Sequence, residues 1–145
     1  MQEIRYNGRV LKEWIVPLDE PAAAHLLTIV IDDKVATIAG LVTTANGGVS
    51  GANVFAVRWP MDQATSGSGA ARGQTDAMGR FQITGLAPGE YRVLALAFVP
   101  QDIAARITNA AFGTFERFIA AGIKVELRPS ELRDISLEPA ALPPQ

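Results

Sequence analysis

A chain of 145 residues that is 48% hydrophobic and 19% charged is long enough for one domain with a real core and too apolar for disorder. Its net charge of -2 excludes a basic field for nucleic acid or anionic lipid, and the lack of cysteine excludes disulfides, thiol catalysis and cysteine-held metals. Met1-Gln2-Glu3-Ile4-Arg5 lacks the basic and apolar regions of a signal peptide, and no apolar run approaches the roughly 20 residues of a membrane span, so no membrane insertion is expected.

In chain order, Glu3-Ile4-Arg5-Tyr6 is a short alternating strand, and Asn7-Gly8 is a strong two-residue hairpin signal. Arg9 to Val16 is its returning partner, Pro17 to Ala24 a loop, and His25 to Ile31 a further strand closed by Asp32-Asp33-Lys34. Val35 to Thr44 predicts a strand with Ile38, Gly40 and Val42 on one face; Asn46-Gly47-Gly48 turns, and Ala52 to Trp59 continues with Ala52, Val54 and Ala56 on one face. Small residues at Ala39, Gly40, Gly51, Ala52 and Ala56 predict close packing of two sheets. Pro60 ends that strand, and residues 61–73, with Ser66-Gly67-Ser68-Gly69-Ala70-Ala71, read as the longest surface loop.

From Gln74 to Val93 the chain reads Q-T-D-A-M-G-R-F-Q-I-T-G-L-A-P-G-E-Y-R-V. Thr75 to Gly79 has the composition of a turn, in which Asp76 bonds the backbone two residues on and Gly79 takes the positive φ. Phe81 and Ile83 point inward and Gln82 and Thr84 outward; Gly85-Leu86-Ala87-Pro88-Gly89 forms a corner around one apolar plug, and a strand runs from Glu90 to Phe98 with Tyr91 buried. After Pro100, Ile103 and Ile107 predict a helix over 101–108. Phe112, Phe115, Phe118 and Ile119 predict a second one interrupted by Gly113, the two capping one end of the sandwich. Ile123, Val125 and Leu127 then alternate with charges, Arg128 to Glu131 turns, and Leu132 to Leu137 returns as a closing hairpin. The tail from Glu138 to Gln145 is proline-rich and reads as linker or extended arm.

The run T-D-x-x-G-x-F-x-I-x-G-L-x-P-G-x-Y-x-V resembles the signature of the carboxypeptidase regulatory-like domain, a small sandwich related in shape to transthyretin and collagen-adhesin B-type repeats. Ile38 to Val42, Asn46-Gly47-Gly48 and Val49 to Val54 resemble that family's opening, so the likeness covers roughly residues 35–99. It implies an all-β Greek-key sandwich of seven or so strands with an N-terminal hairpin extension and a short helical insertion near 101–121. The matching positions are Gly40, Gly51, Ala52, Asp76, Gly79, Phe81, Gly85, Leu86, Pro88, Gly89 and Tyr91, turn and core residues that mark a fold and no chemistry. Residues 1–32 are expected to be the tail of a preceding module or edge strands recruited into this one, 33–138 the sandwich, and 139–145 the tail. The resemblance also implies a non-catalytic module of a secreted, periplasmic or surface-exposed bacterial protein.

Candidate chemistry is sparse. His25 is the single histidine, which rules out a two-histidine metal site, and none of Ser50, Ser66, Ser68, Ser130 and Ser136 stands in a nucleophile-elbow pattern. The pairs Asp19/Glu20 and Asp32/Asp33 read as solvated turns, no calcium loop surrounds Asp32, Asp33 or Asp76, and no phosphate loop occurs. No enzyme activity, metal or cofactor is expected. Collagen-adhesin relatives carry a lysine-to-asparagine crosslink; Lys12, Lys34 and Lys124 and Asn7, Asn46, Asn53 and Asn109 are the residues available, and with no asparagine on the last strand no crosslink is expected. The expected partners are other proteins or identical copies joined by β-strand addition at an open sheet edge. Glycans are the alternative, stacked on Tyr6, Trp14 and Trp59. If the N-terminal third is structural, deleting residues 1–31 is expected to expose the apolar face of Val35 to Val42 and cause aggregation; unchanged solubility and melting would mark it as a passenger.

Overall fold

Asn7 and Gly8 both sit at positive φ, 47° and 82°, as a two-residue type I′ turn demands. They join β1 (Glu3–Tyr6) to β2 (Arg9–Val10), and β3 (Leu27–Val30) pairs antiparallel with the other edge of β1. Asn7 also fixes that third strand, because its backbone N donates to the Leu26 carbonyl and its Oδ1 accepts from the Leu26 N at 3.0 Å. The computed structural model describes residues 3–11, 26–30, 33–61, 70–99 and 114–141. The chain divides into two units, Met1–Lys34 and Val35–Gln145, and the β2-β1-β3 sheet belongs to the first. His25, Trp14 and the rest of the expected return strand lie outside the described residues.

The second unit is an all-β sandwich. Its strands are β4 (Ala36–Thr44), β5 (Gly47–Gly48), β6 (Asn53–Arg58), β7 (Ala70–Gln74), β8 (Arg80–Leu86), β9 (Gly89–Leu96), β10 (Ile123–Leu127) and β11 (Leu132–Leu137). One sheet has the order β10-β9-β6-β7; in the other, β4 lies between β11, which runs parallel to it, and β8, with β5 folded against its end. Residues at alternate positions fill the space between the sheets. Ala36, Ile38, Val42, Phe81, Ile83, Leu86 and Leu137 come from one, and Ala52, Val54, Ala56, Tyr91, Val93, Ala95, Val125 and Leu127 meet them from the other. Burying this many apolar side chains is the main favourable term for the fold.

The first sheet is apolar on its outer face as well. Phe55 and Val57 of β6 and Leu94 and Leu96 of β9 form a second cluster with Ile119 of the helix α1 (Thr114–Ala120). This is why Val54-Phe55-Ala56-Val57 and Val93-Leu94-Ala95-Leu96 read as continuous apolar runs instead of alternating ones.

Five expectations are corrected. Ala70 to Gly73 is not loop: β7 pairs with β6 from Val57↔Ala70 to Asn53↔Gln74, while 62–69 lie outside the described residues. The last two strands are not a hairpin, since β10 pairs with β9 and β11 pairs with β4 in the opposite sheet. The helix α1 covers the face of a sheet instead of one end of the sandwich, and the helix expected over 101–108 lies outside the described residues. The start of the tail does join a sheet: Pro139 bridges Ala95, and the Ala140 N donates to the Ala95 carbonyl at 2.7 Å. Finally, β8 runs on to Leu86 through a bulge, because Thr37 alone faces Thr84 and Gly85 between the pairs Ala36↔Leu86 and Ile38↔Ile83.

Candidate functional site

The two blocks of the signature meet at one end of the sandwich. Asp76 Oδ1 accepts from the backbone N of Met78 at 2.8 Å and of Arg80 at 2.9 Å, closing the turn between β7 and β8. Those two N–H groups hold its carboxyl below the usual value of 3.8. Gly79 is at φ 81° with its missing Cβ 2.6 Å from the Val42 carbonyl, and the Val42 N donates to the Gly79 carbonyl. Thr75, 6% exposed, locks the first block to this turn: its hydroxyl donates to the Val49 carbonyl at 2.6 Å and accepts from the Ala52 N at 2.8 Å. The sequence shows Thr75 only as part of a turn, because its partners Val49 and Ala52 lie more than twenty residues away and meet it through the fold.

The rest of the signature is equally structural. Phe81 and Leu86 are core, and Gly51, Gly85 and Gly89 take positive φ at the β5–β6 link, the bulge and the start of β9. At the corner containing Pro88, Tyr91 is 5% exposed and its hydroxyl donates to the Ala87 carbonyl at 2.8 Å. Burial pushes the Tyr91 phenol above its usual value. Gly40 has no room for a side chain, because a Cβ there would stand 1.9 Å from the Ile135 carbonyl of β11.

Neither described stacking candidate, Tyr6 nor Trp59, offers an open ring, whereas Phe98 just past the end of β9 is 76% exposed. Tyr6, in the first unit, is 4% exposed; Trp59, in the second, packs against the cluster under α1, and the Arg92 guanidinium lies 5.4 Å from its ring centroid. Trp14 lies outside the described residues. Of the crosslink candidates that are described, Lys124 pairs with Glu90 at 3.2 Å, and the buried Asn53 accepts from Arg72 at 3.0 Å. Among the described residues no three His, Asp or Glu side chains gather as a metal would need, and no helix is long and apolar enough to cross a membrane.

What stands open is apolar. In the first unit Leu26 is 65% exposed, Val10 54%, Ile29 50%, Leu27 47% and Val30 36%. Pairing of Ile4 with Ile29 and Tyr6 with Leu27 puts these four on one face of the sheet, and Thr28 and Val30 point to the other. β3 therefore shows apolar side chains on both faces, and among the described residues its sole strand partner is β1. No protein-family model matches the chain, and a search of curated proteins finds no match.

Proposed function

We propose that this chain is a non-catalytic sandwich module of the carboxypeptidase regulatory-like kind. It is carried by a larger secreted or surface-exposed bacterial protein and serves as spacer or protein-interaction domain. The observation that carries the interaction reading is the N-terminal sheet, where five apolar residues of β2, β3 and Leu26 are at least 36% exposed. Among the described residues of this unit Tyr6 alone is buried, a three-stranded sheet of that kind is marginal by itself, and an apolar strand with side chains exposed on both faces is a surface to be covered. The signature residues support the non-catalytic reading, because the Asp76 Oδ1 and the Thr75 and Tyr91 hydroxyls are spent on the backbone.

A second reading, self-assembly, draws on the same strand. β3 lies at the end of its sheet in the order β2-β1-β3 and carries Leu27-Thr28-Ile29-Val30, uncharged and rich in β-branched residues, the composition that pairs with an identical edge. Light scattering on a sizing column across a concentration series tests both. Oligomers that dissociate on Ile29→Lys support self-assembly. A monomer at every concentration overturns that reading and leaves a foreign protein as the partner.

A further inference from the structure

The two outer faces of the sandwich differ. α1 covers the β10-β9-β6-β7 sheet, whereas the outer face of the sheet containing β11, β4 and β8 holds a trough of about 570 Å³. Its floor is the central strand, where the outward residues Ala39 and Leu41 are half-buried. Register builds the walls: Asp134 of β11 and Gln82 of β8 stand on either side of Ala39, and Arg80 of β8 stands beside Leu41. Strands spaced about 4.8 Å apart set the backbones of β8 and β11 roughly 10 Å apart, so the trough between their side chains is one strand wide and runs along β4. Gln74 and Asp76 extend the lining past β8. Among the described residues the Asp134 carboxylate and the Gln82 amide have no hydrogen-bond or ion-pair partner.

The charges choose the ligand class. Arg80 only donates, Asp134 only accepts and Gln82 does both, so the trough offers opposite demands on facing walls. A strongly anionic ligand meets Asp134 and Asp76, and a strongly cationic one meets Arg80. A neutral polyol suits every wall, since each hydroxyl donates and accepts, and its ring C–H groups suit the aliphatic floor of Ala39 and Leu41. We infer that this trough is a binding site for a neutral oligosaccharide lying along β4. The site uses none of Tyr6, Trp14 or Trp59, and it adds to the module reading without depending on how the N-terminal sheet is covered.

Isothermal titration of the full chain with cellohexaose, laminarihexaose and chitohexaose tests the inference. Saturable binding of at least one is expected, weakened about tenfold by Asp134→Ala and by Gln82→Ala, two exposed positions whose truncation leaves the core intact. Absence of saturable heat with all three probes overturns it. So does binding that both variants leave unchanged, or tighter binding of hexagalacturonate than of the neutral probes. Light scattering on the same samples reports separately on self-assembly through the N-terminal sheet.

Discussion

Asp76 is the residue at which local geometry becomes a measurable charge effect. Its Oδ1 accepts two backbone N–H bonds, which favour the ionised form and lower its pKa in the folded chain. A depressed folded value means that the stabilisation is fully present above the unfolded value, near 3.8, and is lost as pH falls through the lower folded one. Asp76→Asn keeps an oxygen acceptor and removes the charge. Thermal melts in acid should therefore show a steeper loss for the parent chain than for Asp76→Asn below about pH 4. Parallel slopes would show that the turn gains nothing from the carboxylate's charge. Tyr91 has the opposite sign: with its folded value raised, its contribution is complete below the unfolded value of 10.0 and disappears as pH climbs through the folded one.

At the scale of elements, α1 is the one whose existence depends most on packing. Seven residues are too few for a stable isolated helix, so Thr114–Ala120 is held by Ile119, fully buried against Phe55, Val57, Leu94 and Leu96. Ile119→Ala should cost about 2–5 kcal/mol in urea denaturation, by lost transfer energy plus the cavity left behind. A cost below about 1 kcal/mol would mean that the helix does not seal the sheet. The same dependence on partners explains what the sequence did and did not reveal. Alternation in β4, β8 and β10 identifies which residues face the core, and it is silent on which strand lies alongside. Arg128 to Glu131 looks like a hairpin turn, yet the Thr37 N donates to the Glu131 carbonyl, which carries β11 over to β4. Arg133 then reaches back to the Glu126 carbonyl at 3.2 Å, tying the two sheet margins together. β7 was illegible because its inward positions are Ala71 and Gly73, kept small where Ile83 approaches within 2.9 Å of a would-be Cβ. The tail misled through its prolines: Pro139 lacks an N–H, but Ala140 supplies one to Ala95. The trough was illegible for a related reason, since Ala39, Gln82 and Asp134 are far apart in sequence and become neighbours only through register.

For the whole molecule the question is what the first unit does for the second. If residues 1–31 were structural, their deletion would expose the apolar face of Val35 to Val42 and cause aggregation; if they are a passenger, solubility and melting would stay unchanged. The described core argues for the second outcome. Among the described residues, Ala36, Ile38 and Val42 are buried in a cluster whose other members come from residues 49–137, and every described member of both clusters lies between Ala36 and Leu137. Val35, 46% exposed, is the one large apolar residue of that stretch already in solvent. A fragment of residues 35–145 should therefore stay soluble and melt in one cooperative step. It should also lose the association that runs through the N-terminal sheet, because Val10, Leu26, Leu27, Ile29 and Val30 leave with the first unit. Scanning calorimetry and light scattering on the fragment and the full chain check both halves. A soluble, cooperative fragment that no longer associates assigns stability to the sandwich and stickiness to the N-terminal sheet. An aggregating fragment would make residues 1–34 part of the fold, and the exposed strand would then be a structural cover with partner binding to be sought elsewhere.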